Sequence, residues 1–272
     1  MLTFLTVEKA SNRKFLPLRN KILVEIKSAE GLEVKHIRYI QRSKKVNFEK
    51  IAKACGEEAK RLLVKEDVFL PDNMGLKRFY CDELKSRLCL NMAIKILEDI
   101  KTEKGINVAV YDPEGRIADG VGGLLKFTES LTVVTRMADI YNAEAMRLME
   151  ESGAVLNASR RMKSLSKAQL IVAPLKLSAQ LPVEKSAVIL SVAKPAVAQR
   201  CAVYYKYYFN LSESLFKLLP EGFDAEYFAS ALYTLYGRYD LGSYIPQAVK
   251  GGSAAHTIVS LSKYLTNIAS NT

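Results

Sequence analysis

INVAVY at 106–111, LTVVT at 131–135, AVLNA at 154–158, QLIVA at 169–173 and SAVILSV at 186–192 are five short, nearly all-apolar runs within ninety residues. Each has the length of a strand buried on both faces, where polar alternation is lost. Between them lie turn and helix signals. Asp112-Pro-Glu-Gly115 reads as a turn, and Asp119 as the N-cap of a helix over Gly120–Ser130. Asn142–Ser152 reads as a helix with Ala145, Leu148 and Met149 facing inward and Gly153 ending it. A short crossover falls at Met162–Leu165. Apolar strands separated by such crossovers require a parallel sheet covered on both faces, so the reading is a doubly wound, mostly parallel α/β layer.

In element order, residues 105–192 resemble the Rossmann-like dinucleotide-binding domains. That resemblance implies a phosphate loop directly after the first strand, in the spacing G-x-G-x-x-G. The sequence there is DPEGRIADGVGG, with Gly120-Val-Gly122 followed by Gly123, but residue 125 is Leu and the turn is about six residues longer than the usual one. Several readings stay open. Gly122 or Gly123, beside Gly120, lets a helix start approach the sheet with its N–H groups toward an anion, or these glycines are packing devices or part of a flexible loop. Asp112 is likewise either a site acid at the carboxyl end of the first strand or a turn-forming Asx group before Pro113.

The resemblance also implies an acid after the second strand in sites selective for NAD. Here stands Thr135-Arg136. A guanidinium cannot accept from ribose hydroxyls, but its fork suits a 2′-phosphate, and Arg160 and Arg161 follow the third strand. If a nicotinamide dinucleotide binds, NADP(H) is the expected one. Its crevice comprises residues 112–123, 135–136, 158–161 and 173–178, with Pro174 opening a loop (174–185) that reaches the fifth strand.

Outward from this core, Asp82 opens a helix to about Ile100, whose stripe includes Leu84, Leu88, Cys89, Met92, Ile96 and Leu97. Residues 1–79 read as a small basic α+β module. It has strands at 2–8, 21–27 and 34–40, with a basic segment containing Pro17 between the first two. A helix capped by Asn47 follows, its stripe running from Phe48 to Leu63. The domain plan is therefore 1–79, 80–200, and an aromatic-rich, mainly helical region at 201–272 that packs on the sheet or at an interface. Nine of the fourteen tyrosines lie between positions 204 and 244. In that region CAVYYKYYFNL (201–211) obeys neither period. Helices are expected at Ala225–Tyr236, stopped by Gly237, and at Ala254–Leu265, behind Gly251-Gly252-Ser253 and with His256 in its first turn.

Composition bounds the function loosely. The chain has 272 residues, 49% of them hydrophobic and 25% charged, as in an ordinary globular protein. Of the formal charge of +11, residues 1–104 carry 23 Lys and Arg against 15 Asp and Glu. Such a balance favours anionic partners. The densest run, Arg42-Ser-Lys44-Lys45, is short and lacks interleaved aromatics, which argues against nucleic acid. No apolar run approaches the roughly 20 residues that cross a bilayer. Cys55, Cys81, Cys89 and Cys201 form no CxxC pair, and no secretory leader is evident, so the expectation is a cytoplasmic protein with reduced thiols. Asp112 and Asp119 have no third ligand for a metal, and none is expected. G-x-S-x-G, the P-loop pattern and HExxH are absent.

The functional expectation is a nucleotide-binding protein in the manner of an NADP(H)-dependent oxidoreductase. Tyr204–Tyr208, Tyr233 and His256 are available as proton donors, though none is placed by spacing. Two alternatives stand beside it: a non-catalytic ligand-binding or regulatory protein, and a structural or interaction protein, with a homodimer among its forms. A methyltransferase is a lesser variant, since it too wants an acid where Arg136 stands.

Overall fold

The computed structural model describes residues 1–10, 19–100, 105–236, 246–252 and 254–270. The chain divides into two compact units, Met1–Cys81 with Leu211–Tyr239, and Asp82–Asn210 with Asp240–Thr272. The tail expected as one region, 201–272, is thus shared between them. Pro17, Gly237 and Ser253 lie outside the described residues.

In the first unit, β1 (Leu2–Lys9), β2 (Lys21–Ala29), β3 (Leu32–Gln41) and β4 (Leu63–Val64) form a sheet in the order β2-β3-β1-β4. β1 runs parallel to both β3 and β4, while β2 and β3 make an antiparallel hairpin. The hairpin turns at Glu30-Gly31, both at positive φ (51° and 72°), which matches the twist of the flanking strands. Asn47 caps α1 (Phe48–Cys55) as its side chain predicts, accepting from the Lys50 N–H at 2.9 Å. The helix does not continue to Leu63. Gly56 takes φ 65°, and the chain tightens into a 3-10 segment, Gly56–Arg61, that delivers Leu63 to β4.

The second unit opens with α2 (Glu83–Asp99). Then come β5 (Val108–Tyr111), β6 (Ser130–Val134), α3 (Ala138–Ser152), β7 (Val155–Ser159), β8 (Leu170–Ala173), β9 (Val188–Ser191) and β10 (Ala202–Tyr204). All neighbours in this six-stranded sheet pair in parallel, in the order β7-β6-β5-β8-β9-β10. Numbered from its first strand, the sheet runs 3-2-1-4-5-6. This is the doubly wound Rossmann order, with its reversal between β5 and β8. The sixth strand came out of the stretch that matched neither period.

The crossovers are leaner than expected. Only α3 is an α-helix; β5 to β6 passes through a 3-10 segment, Ala118–Lys126, and β7 to β8 through another, Met162–Leu165. Coil then does the work of helices. Leu165, Leu177, Leu181 and Val183 cover Ala109, Ile171 and Ile189 on one face. On the other, α2 lies against β8 and β9. Its stripe is buried as read, and the Cys89 thiol donates to the Leu190 carbonyl at 3.1 Å. In α3 the inward residues are Tyr141 and Leu148, whereas Met149 is 59% exposed and not part of the core. Gly153 ends that helix at φ 68°, its N–H donating to Met149 O.

β11 (Lys206–Tyr208) also belongs to this unit. The chain then returns to the first unit as α4 (Glu213–Phe216) and α5 (Ala225–Tyr236). There Leu215, Phe223, Phe228 and Leu232 pack on Leu2, Phe4 and Leu63, while Leu5, Ile37 and Tyr39 on the opposite face meet Ile51 and Cys55 of α1. A buried phenylalanine contributes about 1.5–3 kcal/mol through apolar area alone, so two covered faces suffice to hold so small a sheet. Finally β12 (Ala248–Gly251) and β13 (Ala254–Thr257) join β11 in an antiparallel sheet, followed by α6 (Ile258–Ser270). His256 therefore sits in a strand opposite Val249, not in a helical first turn as expected. Its ring meets Tyr204 edge-on, centroids 5.2 Å apart.

Candidate functional site at the carboxyl edge of the sheet

Open parallel sheets bind ligands beyond the carboxyl ends of their strands, beside the reversal of strand order. At that edge the structure places Asp112 after β5, Thr135 and Arg136 after β6, Arg160 and Arg161 after β7, and Pro174 after β8. All six stand at one end of one sheet, as read from the sequence.

Their roles differ. Asp112 has no exposed surface. Its carboxylate accepts the Ile117 N–H at 3.0 Å, the Glu114 N–H at 3.3 Å and the Tyr141 hydroxyl at 2.7 Å. Three donors satisfy a buried carboxylate and close the turn 112–117 around it. Tyr141, fully buried in the first turn of α3, has its hydroxyl pushed well above the usual phenol range, first by burial and then by the Asp112 charge. It stays a neutral donor.

The glycines are built into packing. A Cβ on Gly122 would stand 2.7 Å from Leu148 Cδ2 of α3, and one on Gly123 2.8 Å from Ile94 Cδ1 of α2. One on Gly120 would meet the Arg87 guanidinium and, at 2.8 Å, Leu90 Cδ2. The three glycines let the 3-10 segment lie close between α2 and α3. Asp119 does not cap this segment, which has no side-chain cap. Its exposed carboxylate pairs with Arg87. No α-helix begins after β5, so the conventional arrangement of helix-start N–H groups around a pyrophosphate is not formed by this loop.

The second and third strand ends are different. Thr135 is buried; its N–H donates to Ser159 O at 2.9 Å, and its hydroxyl accepts from the Met137 N–H at 2.9 Å. The first of these bonds extends the β6–β7 pairing past its last register pair, Val134 with Ser159, and the second shapes the turn that follows. Arg136 and Arg161 each stand two residues beyond that pair, with Arg160 between. All three arginines are exposed. Ser159 Oγ accepts the Arg161 N–H at 3.1 Å, which fixes the backbone where the last two arginines leave the strand. Asp139, exposed in the first turn of α3, is the acid nearest in sequence.

Across the reversal, the buried Pro174 offers its carbonyl to Ser86 Oγ of α2 at 3.2 Å. Ser191 Oγ donates to Leu175 O at 2.7 Å, and the Tyr207 hydroxyl to Ser191 O at 2.8 Å. The loop after β8 is thereby pinned to α2 and β9. Neither Tyr141 nor Ser86 was readable as a site-shaping residue. Each acts on a residue 29 or 88 positions away, and only the fold brings them together. Among the described residues no cluster of His, Cys, Asp and Glu could hold a metal ion, and no helix is long and apolar enough to cross a membrane.

No protein-family model matches the chain, and no curated protein does. Among solved structures it is similar to the Thermococcus litoralis Δ1-pyrroline-2-carboxylate reductase in complex with NADH and L-proline (9% identity, 42% of this chain and 38% of that one, TM-score 0.31). It is also similar to quinate dehydrogenase from Corynebacterium glutamicum in complex with NAD (12%, 59% and 70%, 0.30). A third is L-tryptophan dehydrogenase from Nostoc punctiforme (13%, 87% and 68%, 0.33). The chain spans well under two thirds of the reductase's length. At these TM-scores the likenesses carry no argument. The Rossmann-like fold rests on this chain's own strand order.

Proposed function

We propose that this chain is a nucleotide-binding protein whose ligand, NADP(H) in the first instance, lies across the carboxyl edge of the parallel sheet. The observation that carries the reading is the group of exposed guanidinium side chains of Arg136, Arg160 and Arg161, on two paired strand ends next to the reversal of a 3-2-1-4-5-6 sheet. Arginine forks suit phosphate oxygens, and Arg136, standing at the strand end where NAD-selective sites carry an acid, favours NADP(H) over NAD(H). An NADP(H)-dependent oxidoreductase is the enzymatic form of this reading, the cofactor supplying the hydride chemistry. A second, non-catalytic form, in which the domain binds its ligand without turnover, is favoured by the loop after β5, whose Glu114 and Ile117 N–H groups are already engaged by the Asp112 carboxylate.

Calorimetric titration of nucleotide-free protein with NADPH and NADH tests the reading. Saturable NADPH binding that weakens at least tenfold in Arg136→Ala, with NADH much weaker, supports it. Absence of NADPH binding removes it.

A further inference from the structure

Resting on that nucleotide-binding reading, we propose a narrower ligand class: a nucleotide recognised through a terminal ribose phosphate, with its pyrophosphate, if it has one, left without a protein cradle. The argument begins with the donors of the loop after β5. In a dinucleotide site these backbone N–H groups face the pyrophosphate. Here the chain supplies its own anion. The Asp112 carboxylate takes the N–H groups of Glu114 and Ile117, and the Tyr141 hydroxyl holds it from the side of α3. The Gly115 N–H turns back to Asp112 O, and the Gly120 N–H to Ile117 O.

Space points the same way as charge. The glycines that would admit a phosphate are in contact range of Leu90, Ile94 and Leu148, so their missing Cβ atoms leave room for protein and not for ligand. A second anion brought beside a fully buried carboxylate would also meet like-charge repulsion in a medium of low polarity. The ends of β6 and β7 carry the opposite arrangement. There three guanidinium groups are exposed, on backbone held by Thr135 and Ser159. A terminal phosphate monoester presents three oxygens and close to two negative charges, and three arginines match it better than they match a singly charged bridging phosphate.

The test uses the full chain and three probes: NADP+, adenosine 2′-monophosphate and NAD+. The inference expects adenosine 2′-monophosphate to bind within tenfold of NADP+, NAD+ to bind at least tenfold more weakly than either, and Arg136→Ala to weaken the first two by the same factor. NADP+ binding more than tenfold tighter than adenosine 2′-monophosphate would overturn it while leaving the nucleotide reading in place. NAD+ binding as tightly as NADP+ would do the same. Silence of all three probes would overturn both. Arg136 is exposed and outside the core, so circular dichroism of the variant separates lost binding from lost fold.

Discussion

Asp112 joins backbone geometry to buried chemistry at a single position. Its carboxylate replaces the hydrogen bonds that the first turn after β5 would otherwise seek from solvent or ligand. Asp112→Ala leaves a buried N–H and the Tyr141 hydroxyl without their acceptor. We expect a loss of about 2–4 kcal/mol in urea unfolding, from two unsatisfied groups at about 1–3 kcal/mol each, partly relieved by water. Tyr141→Phe removes one of the three donors and should cost less, about 1 kcal/mol. A loss as large for Tyr141→Phe as for Asp112→Ala would contradict this division.

His36 offers a pH test at the same scale. Its ring is half-buried on β3, with Nε2 2.5 Å from the Thr6 hydroxyl, and its pKa lies below the ordinary value through burial and, second, the charge of Arg38; Lys27 acts in the same direction, and Glu25 and Glu8 oppose it. A folded-state pKa lowered in this way means that the unfolded chain takes up the proton first. The stabilisation is complete above the unfolded value near 6.5 and is lost as pH falls through the folded value. Denaturation midpoints should drop as pH falls below about 6.5, with a shallower drop in His36→Gln. The thiols supply a third measurement. Burial pushes Cys55 and Cys201 up to about 11 and Cys89 to about 12. At neutral pH a thiol reagent should leave Cys55 and Cys89 unlabelled in the native protein and reach all four cysteines after unfolding.

At the scale of elements, legibility followed the period of the pattern. The strands β5 to β9 were readable because strands buried on both faces lose alternation, and short apolar runs between turn residues have few other uses. α2 and the Asn47 cap were readable because both signals are local. The 3-10 segment Ala118–Lys126 was not. Its glycines look like a phosphate loop from sequence, and their packing against Leu90, Ile94 and Leu148 exists only once α2 and α3 are in place. The second half of the stripe after Phe48 misled in a similar way, since Gly56 diverts the chain before the helix reaches Leu63. Tight packing at glycine carries its own prediction. A Cβ on Gly251 of β12 would run into the Val203 carbonyl, which is backbone and cannot rotate away. Gly251→Ala should therefore cost about 1–3 kcal/mol or more, read as a lowered melting temperature. Gly153→Ala meets no atom, and its cost of about 1 kcal/mol comes from the left-handed backbone alone.

For the whole molecule, charge and chain tracing matter most. The formal charge of +11 raises the local concentration of anionic ligands, so NADP+ affinity should fall several-fold between about 50 and 300 mM salt, as screening shortens the range of the field. An affinity indifferent to salt would mean that the arginine rim does not carry the binding. Amino-acid order alone determined that this chain builds a parallel α/β layer, and that positive charge stands after its second and third strands. Both follow from local hydrophobic pattern and from position along the strand. Only the tertiary structure decided three other things: that residues 211–239 join the amino-terminal unit, that β10 completes the sheet, and that Asp112 fills its own loop. The first two depend on partners far apart in the chain; the third combines local turn bonds with one distant donor, Tyr141. Tyr141 reaches Asp112, and Phe228 reaches Phe4, only when burial has drawn distant segments together.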